Sequence, residues 1–153
     1  MRSLASRARY LIGLVMVVSV VAGCSLPPGE DGILEAGLQQ LVGTGKTVHL
    51  RDLTTFKWDT VYIFYGYENG RDINQMVGGY VMPDGNWVNE FDDLLVFDLD
   101  GRPVRRAIVR SLFQPAHSSK WPSDVQLVAP ANCGLFLIAP GDPLPGADCA
   151  SGH

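Results

Sequence analysis

The chain has 153 residues, 46% of them hydrophobic and 18% charged, which is the length of one domain and too apolar a composition for a disordered segment. The formal net charge of −4 joins two unlike parts. Beyond residue 23, which leaves Arg2, Arg7 and Arg9 behind and no acid, 9 basic and 16 acidic residues remain, for −7. That balance argues against nucleic acid as a partner, because phosphate binding draws on clustered Lys and Arg.

Residues 1–23 have the three-part layout of an export signal. Arg2, Arg7 and Arg9 form a positive start, Leu11 to Val21 is almost wholly apolar, and small residues lead to Cys24. The apolar run is shorter than the ~20 residues that a membrane-crossing helix needs. Val21-Ala22-Gly23-Cys24 resembles the lipobox of bacterial lipoproteins, whose cysteine receives a diacylglycerol while the preceding peptide is cut away. The resemblance implies a membrane partner through a lipid anchor at Cys24 and an address on the extracytoplasmic face. The outer membrane is open to it if the cell has one. Two or three acyl chains anchor stably, since each buried methylene contributes about 0.8 kcal/mol. The alternative is a soluble secreted protein cleaved after Ala22 or Gly23.

Residues 24–32 read as a Pro- and Gly-containing tether, and residues 33–153 as one globular domain. Ile33 to Val42 has helical spacing, with Ile33, Leu34, Leu38, Leu41 and Val42 on the apolar side, Asp31 as N-cap and Gly43 as stop. Gly43-Thr-Gly-Lys-Thr47 invites a phosphate-loop reading but lacks the first glycine of that motif, and it follows a helix where the motif follows a strand. A turn into a strand over Thr47 to Leu53 is the simpler expectation. Trp58 to Tyr67 is the densest run of strand formers. Period-two alternation puts Trp58, Thr60, Tyr62 and Phe64 on one face and Asp59, Val61, Ile63 and Tyr65 on the other, a central strand covered on both sides.

Glu68-Asn69-Gly70 marks a turn, and Arg71 to Val77 a short helix capped by Asn69 or Asp72 and ended by Gly78-Gly79. Pro83-Asp84-Gly85-Asn86 suggests a hairpin between Tyr80–Met82 and Trp87–Val88. Leu94 to Leu99 and Val104 to Leu112 form a second hairpin about Asp100-Gly101. Gln114 to Ser123 reads as a polar loop, and Val125 to Val128 and Leu135 to Ile138 as the last strands. The sum is a single α+β domain with a mainly antiparallel sheet of five to seven strands and two short helices. Cys133 and Cys149 form an even pair in an oxidising compartment, and a disulfide closing their 16-position loop is worth about 3 kcal/mol.

Few residues invite a chemical role, and none forms a catalytic constellation. Asp59, an acid within an apolar run, would suit a general acid if buried, or would accept backbone N–H bonds as a structural residue. Glu90, Asp92, Asp93, Asp98 and Asp100 lack the spacing of a calcium loop and read as a solvated acidic face. His49, His117 and His153 share no ligand spacing, so neither metal nor cofactor is expected. Arg102, Arg105, Arg106 and Arg110 read as cross-strand partners of those acids, or as a docking site for an acidic partner. Most of the aromatics Tyr62, Tyr65, Tyr67, Tyr80, Trp87 and Trp121 should be core, with Trp121 exposed in its polar loop.

Phe56-Lys-Trp58-Asp59-Thr-Val61-Tyr62-Ile63-Phe64 resembles a class of small, uncharacterised bacterial lipoproteins and exported proteins with F-x-W-D-x-V-Y-I-F, a following tyrosine and a short helix containing Ile. Tyr67 and Ile73 fall at those later positions. The resemblance implies an α+β fold and an envelope location without an activity. The residues of functional interest are therefore Trp58, Asp59, Tyr62, Tyr67 and Trp121, in a non-catalytic binding or structural module for an envelope partner. The rivals are a small-molecule or peptide carrier with an aromatic pocket, and an envelope enzyme or inhibitor using Asp59.

Overall fold

The computed structural model describes residues 32–110, 112–114, 117–131 and 133–144. The export signal, Cys24, the tether as far as Asp31, Cys149 and His153 lie outside the described residues. Helix α1 spans Gly32–Leu41 and buries Leu34, Leu38 and Leu41, the i, i+4, i+7 stripe of one face. Ile33 and Val42, expected on that face, are exposed (72% and 38%), because they flank the stripe by one position at either end. Gly43 and Gly45 take φ of +70° and +72°, and the Thr44 hydroxyl donates to the Leu41 carbonyl at 2.7 Å, closing the helix. Gly43 to Thr47 is thus a turn into a strand.

That strand, β1 (Thr47–His49), stops four residues short of expectation. Leu50–Leu53 coils into a 3-10 turn that fully buries Leu50. Its Leu53 side chain packs against Gly37 of α1. Strand β2 (Thr60–Phe64) follows, then helix α2 (Gly70–Val77). The Asn69 side chain caps α2 by accepting the Asp72 N–H, and Gly78 ends it at φ +76°. The remaining strands are β3 (Asp92–Leu99), β4 (Arg102–Arg110), β5 (Phe113–Gln114), β6 (Ser119–Pro122), β7 (Gln126–Val128) and β8 (Leu135–Ile138).

The α+β class and the mainly antiparallel pairing hold, with eight strands among the described residues divided between two sheets. One has the order β4-β3-β2-β6, the other β1-β7-β8-β5, and among these pairs β5–β8 is the parallel one. β2 is central, as expected, paired on one side with β3 and on the other with β6. The polar loop expected over Gln114 to Ser123 is therefore partly strand: Ser119–Pro122 supplies the edge that β2 requires, with Pro122 at the strand's end where no ladder donor is needed.

The alternation of β2 sorts two cores. Val61, Ile63 and Tyr65 join the main cluster between the sheets and α1, with Phe97, Phe113, Leu127 and Leu135. Tyr62 and Phe64 join a smaller cluster with Ile73 and Val77 of α2 and with Val81, Val88, Leu94 and Val96. Trp58 belongs to the main cluster rather than beside Tyr62, because the strand begins at Thr60 and period two does not extend back to it.

The Asp100-Gly101 hairpin forms as expected, with φ of +54° and +73°, the left-handed pair of a two-residue turn. Val104 is the extra residue of a bulge: Phe97 pairs with Arg105 and Asp98 with Pro103. The hairpin expected around Pro83–Asn86 does not form. Its turn closes (Asn86 N–H to Pro83 carbonyl, 2.9 Å), but Tyr80–Met82 bonds to a side chain instead of to a strand. Asn74 of α2 accepts the N–H groups of Val81 (2.7 Å) and Met82 (3.2 Å) and donates to the Met82 carbonyl (2.8 Å) and Asp84 (3.0 Å). Trp87 keeps a single bridge, to Asn69.

Candidate docking surface

Three backbone bonds stitch the loop after Met82 to the segment leaving β2: Tyr67 N–H to Val88 carbonyl, Val88 N–H to Glu68 carbonyl and Gly70 N–H to Asn86 carbonyl, at 2.8–3.0 Å. Two glycines permit the close approach. A Cβ on Gly70 would lie 2.0 Å from the Pro83 carbonyl oxygen, and one on Gly66 would lie 2.6 Å from Glu90 Cα. Val88 and Val81 turn inward onto Phe64 and Ile73. Trp87 and Phe91 turn outward, each 63% exposed, beside Ile108 of β4, itself 44% exposed.

Two clefts meet under these side chains, sharing Asn89, Asp92 and Ile108. The more apolar, of about 160 Å³, is bounded by Met82, Trp87, Val88, Leu94 and Arg106. The more polar, of about 380 Å³, adds Glu35, Phe91 and Arg110. The Arg106 guanidinium donates to the Val81 carbonyl at 2.5 Å, which fixes the base of the loop to β4. Asp92 stands directly opposite Arg110 in the ladder.

The residues singled out by sequence do not converge here or elsewhere. Trp58 is buried, donating its indole N–H to the Thr54 hydroxyl (2.9 Å) and meeting Phe97 edge-on at 5.2 Å. Asp59 is exposed rather than buried, and accepts the Asp100 backbone N–H at 2.9 Å. Its own N–H reaches the Asp98 carbonyl and its carbonyl takes the Ser123 N–H, so it serves as a junction of three strand ends. Tyr62 is buried, stacked on Phe64 at 6.3 Å under the Lys120 ammonium, 5.1 Å from its ring. Tyr67 is exposed, in a left-handed conformation (φ +72°), and its hydroxyl donates to Glu90. That bond, ahead of burial and the Glu90 charge, holds its pKa above the ordinary phenol value.

Trp121 is half-buried against the main core, correcting its expected exposure, and its indole N–H goes to Ser119 at 2.8 Å. With Tyr65, His117 and Leu137 it lines a cleft of only about 150 Å³. Burial, and next the charge of Asp93, pushes the Tyr65 phenol up to about 12, so at neutral pH it is a protonated donor and no base. Among the described residues the exposed aromatics are instead Tyr67, Tyr80, Trp87 and Phe91.

The acids expected to share a solvated face are separated. Asp93 is buried toward the main core and accepts the Leu112 N–H at 3.2 Å, and Asp98 is buried on the opposite face. Alternation along β3 divides them. Arg110 stands across the ladder from Asp92, as expected of a cross-strand pair, while Arg105 lies over the Phe56 ring at 5.4 Å and Arg106 holds the Val81 carbonyl. His49 Nδ1 lies 3.1 Å from the Asp124 carbonyl oxygen. Among the described residues no group of three His, Cys, Asp or Glu could hold a metal ion, and no helix is long and apolar enough to cross a membrane. Cys133 is disulfide-bonded; Cys149 lies outside the described residues.

No family model matches this chain, and comparison with curated proteins and with solved structures returns no match. Any functional reading therefore stands on the chain's own residues. The surface at Trp87 and Phe91 escaped the sequence pattern because a failed hairpin produced it. The signal available was W-V-N-E-F itself, two aromatics four apart among Asn and Glu, with only Val88 between them to fill a core.

Proposed function

We propose that the protein is lipid-anchored at Cys24 on the extracytoplasmic face of a bacterial membrane, and acts non-catalytically by binding an envelope protein through the Trp87–Phe91–Ile108 surface. The observation that carries the binding role is the joint exposure of three large apolar side chains around two adjoining clefts, Trp87 and Phe91 on a loop held by backbone bonds and Ile108 on β4. Exposed aromatics in a preformed cleft are the usual anchors of protein interfaces. The anchor and address rest on the lipobox-like Val21–Cys24 and on the resemblance at Phe56–Phe64.

Two observations favour this reading over its rivals. An enzyme or inhibitor built on Asp59 would need that carboxylate free, and it is committed to the hairpin turn. A small-molecule carrier would need an enclosed cavity of roughly 300 Å³ or more, whereas the Trp121 cleft holds about 150 Å³ and the larger clefts, about 380 Å³ beside Phe91 and about 430 Å³ beside Phe56 and Trp58, are open to solvent. Photo-crosslinking in intact cells from a reactive side chain placed at Phe91, in the wild-type and Cys24→Ala backgrounds, tests the proposal. The expected result is an intact mass carrying two or three acyl chains, lost in the Cys24→Ala variant, and one reproducible adduct, lost in that variant and in Trp87→Ala. An unmodified Cys24 overturns the anchor, and the absence of any Trp87-dependent adduct overturns the binding role.

A further inference from the structure

We propose that the cleft between the 3-10 turn and Phe56–Trp58 binds a pyranose ring of an envelope polysaccharide, at a site separate from the Trp87 surface. The inference goes beyond the binding role above and shares with it only the extracytoplasmic address, which puts glycan within reach. At about 430 Å³ the cleft has the size of a small-molecule site, roughly 300–1,000 Å³. Being open to solvent, it does not enclose a free ligand, but it lets a chain run through. Its floor is apolar, made by Phe56, Trp58 and Leu99. Arg51, Asp52, Lys57 and Ser123 stand around that floor. Phe56, Lys57 and Trp58 belong to the F-x-W-D run, which the Trp87 surface leaves unused.

The floor is fixed before any ligand arrives, which spares the cost of ordering it. Phe56 and Trp58 each meet Phe97 edge-on, with ring centres 5.0 and 5.2 Å apart. The Trp58 indole N–H reaches the Thr54 hydroxyl at 2.9 Å, and that hydroxyl donates to the Arg51 carbonyl at 3.0 Å, so floor and rim are tied together. Ser123 is set by its N–H bond to the Asp59 carbonyl, 2.8 Å. Among the described residues, none of the four rim side chains is hydrogen-bonded or ion-paired. A guanidinium or ammonium only donates, a carboxylate only accepts, and a hydroxyl does both. A pyranose ring matches this mixture, since each of its hydroxyls donates and accepts while its faces are C–H. An anionic ligand would gain Arg51 and Lys57 but meet Asp52, on a chain whose part beyond residue 23 carries −7. A peptide adding as a strand would need open backbone groups, and the N–H groups of Asp59 and Ser123 are already bonded.

The test is isothermal titration calorimetry of full-length protein, in micelles of a sugar-free detergent, with β-linked hexasaccharides of glucose and of N-acetylglucosamine and with inorganic phosphate. Saturable binding of a hexasaccharide is expected, and no heat of binding from phosphate. Raising the salt from about 50 mM to about 500 mM should change the sugar affinity less than twofold, because a neutral ligand offers no charge to screen. Arg51→Ala and Asp52→Ala, both at exposed positions and checked by an unchanged circular dichroism spectrum, should each weaken sugar binding at least fivefold. Both should keep the adduct formed from Phe91 in cells. Unchanged sugar affinity in either variant overturns the proposal, as does binding of phosphate alone. So does an absence of sugar binding, in which case a Trp87-dependent adduct would still uphold the protein-binding role.

Discussion

Asp59 and Asp100 meet at one end of the larger sheet: the carboxylate that precedes β2 accepts the backbone N–H of the residue that turns β3 into β4, at 2.9 Å. The acid that stands out in an apolar sequence run thus completes a neighbouring hairpin. Asp100 sits at φ +54°, a conformation costly to a non-glycine residue, and the bond from Asp59 helps to hold it there. Asp59→Ala should lower stability by about 1–2 kcal/mol in urea unfolding, and Asp59→Asn by less, because an amide oxygen still accepts. Cross-linking from the Phe91 position should survive both substitutions. Its loss with stability intact would return Asp59 to a direct functional role.

Asn74 is the residue on which the exposed loop depends. Its side chain replaces a β-strand, accepting two backbone N–H groups and donating to a carbonyl. Asn74→Ala leaves part-buried donors without partners and should cost about 2–4 kcal/mol. Asp at this position keeps the acceptor but sets a carboxylate oxygen against the Met82 carbonyl and the Asp84 carboxylate in place of the donor, so it should not rescue the loop at neutral pH. Amide hydrogen exchange at Val81 and Met82 is the direct readout: protection should vanish in the alanine variant while β3 keeps its own.

Gly70→Ala and Gly32→Ala should diverge sharply. At Gly70 a methyl group would overlap the Pro83 carbonyl oxygen at 2.0 Å, against backbone that is itself bonded in place. The expected loss is roughly 3 kcal/mol, at the upper end for an overpacked site. At Gly32, the first residue of α1, an added Cβ meets nothing within 4 Å, and the midpoint of thermal unfolding should hold or rise slightly. Equal effects at the two positions would mean that the loop does not lie against α2 as described.

Tyr65 sets an alkaline limit. Its folded pKa is raised to about 12 from an ordinary 10, so between these values the folded state retains a proton that the unfolded chain has released. Stability from this group is fully present below pH 10 and is lost as pH rises toward 12. Tyr67, also raised, acts in the same direction. The urea midpoint should decline above pH 10, and Tyr65→Phe should make that decline shallower. Absorbance at 295 nm should show one phenol ionising late, near 12, and absent from the variant.

Much of the fold was legible because it is written in short-range patterns. The i, i+4, i+7 leucines of α1, the Asn69 cap and Gly78 stop of α2, and the Asp100-Gly101 turn are each local choices with one good backbone solution. The export signal and Cys24 likewise depend only on residue order, and remain a sequence reading. Period two in β2 correctly sorted Val61 and Ile63 from Tyr62 and Phe64. It failed at Trp58, where no ladder enforces it.

What only the tertiary structure decided is where long-range pairing superseded local pattern. Ser119–Pro122 looks like a loop and becomes a strand because β2 has a free edge to fill. Tyr80–Met82 looks like a strand and does not pair, because Asn74 reaches its backbone first. Asp93 and Asp98, neighbours in an acidic stretch, part to opposite faces of β3 and are buried. The exposure of Trp87 and Phe91 follows from the same competition. A residue's environment is set by the partners that its segment finds across the fold, and side-chain type alone does not name them.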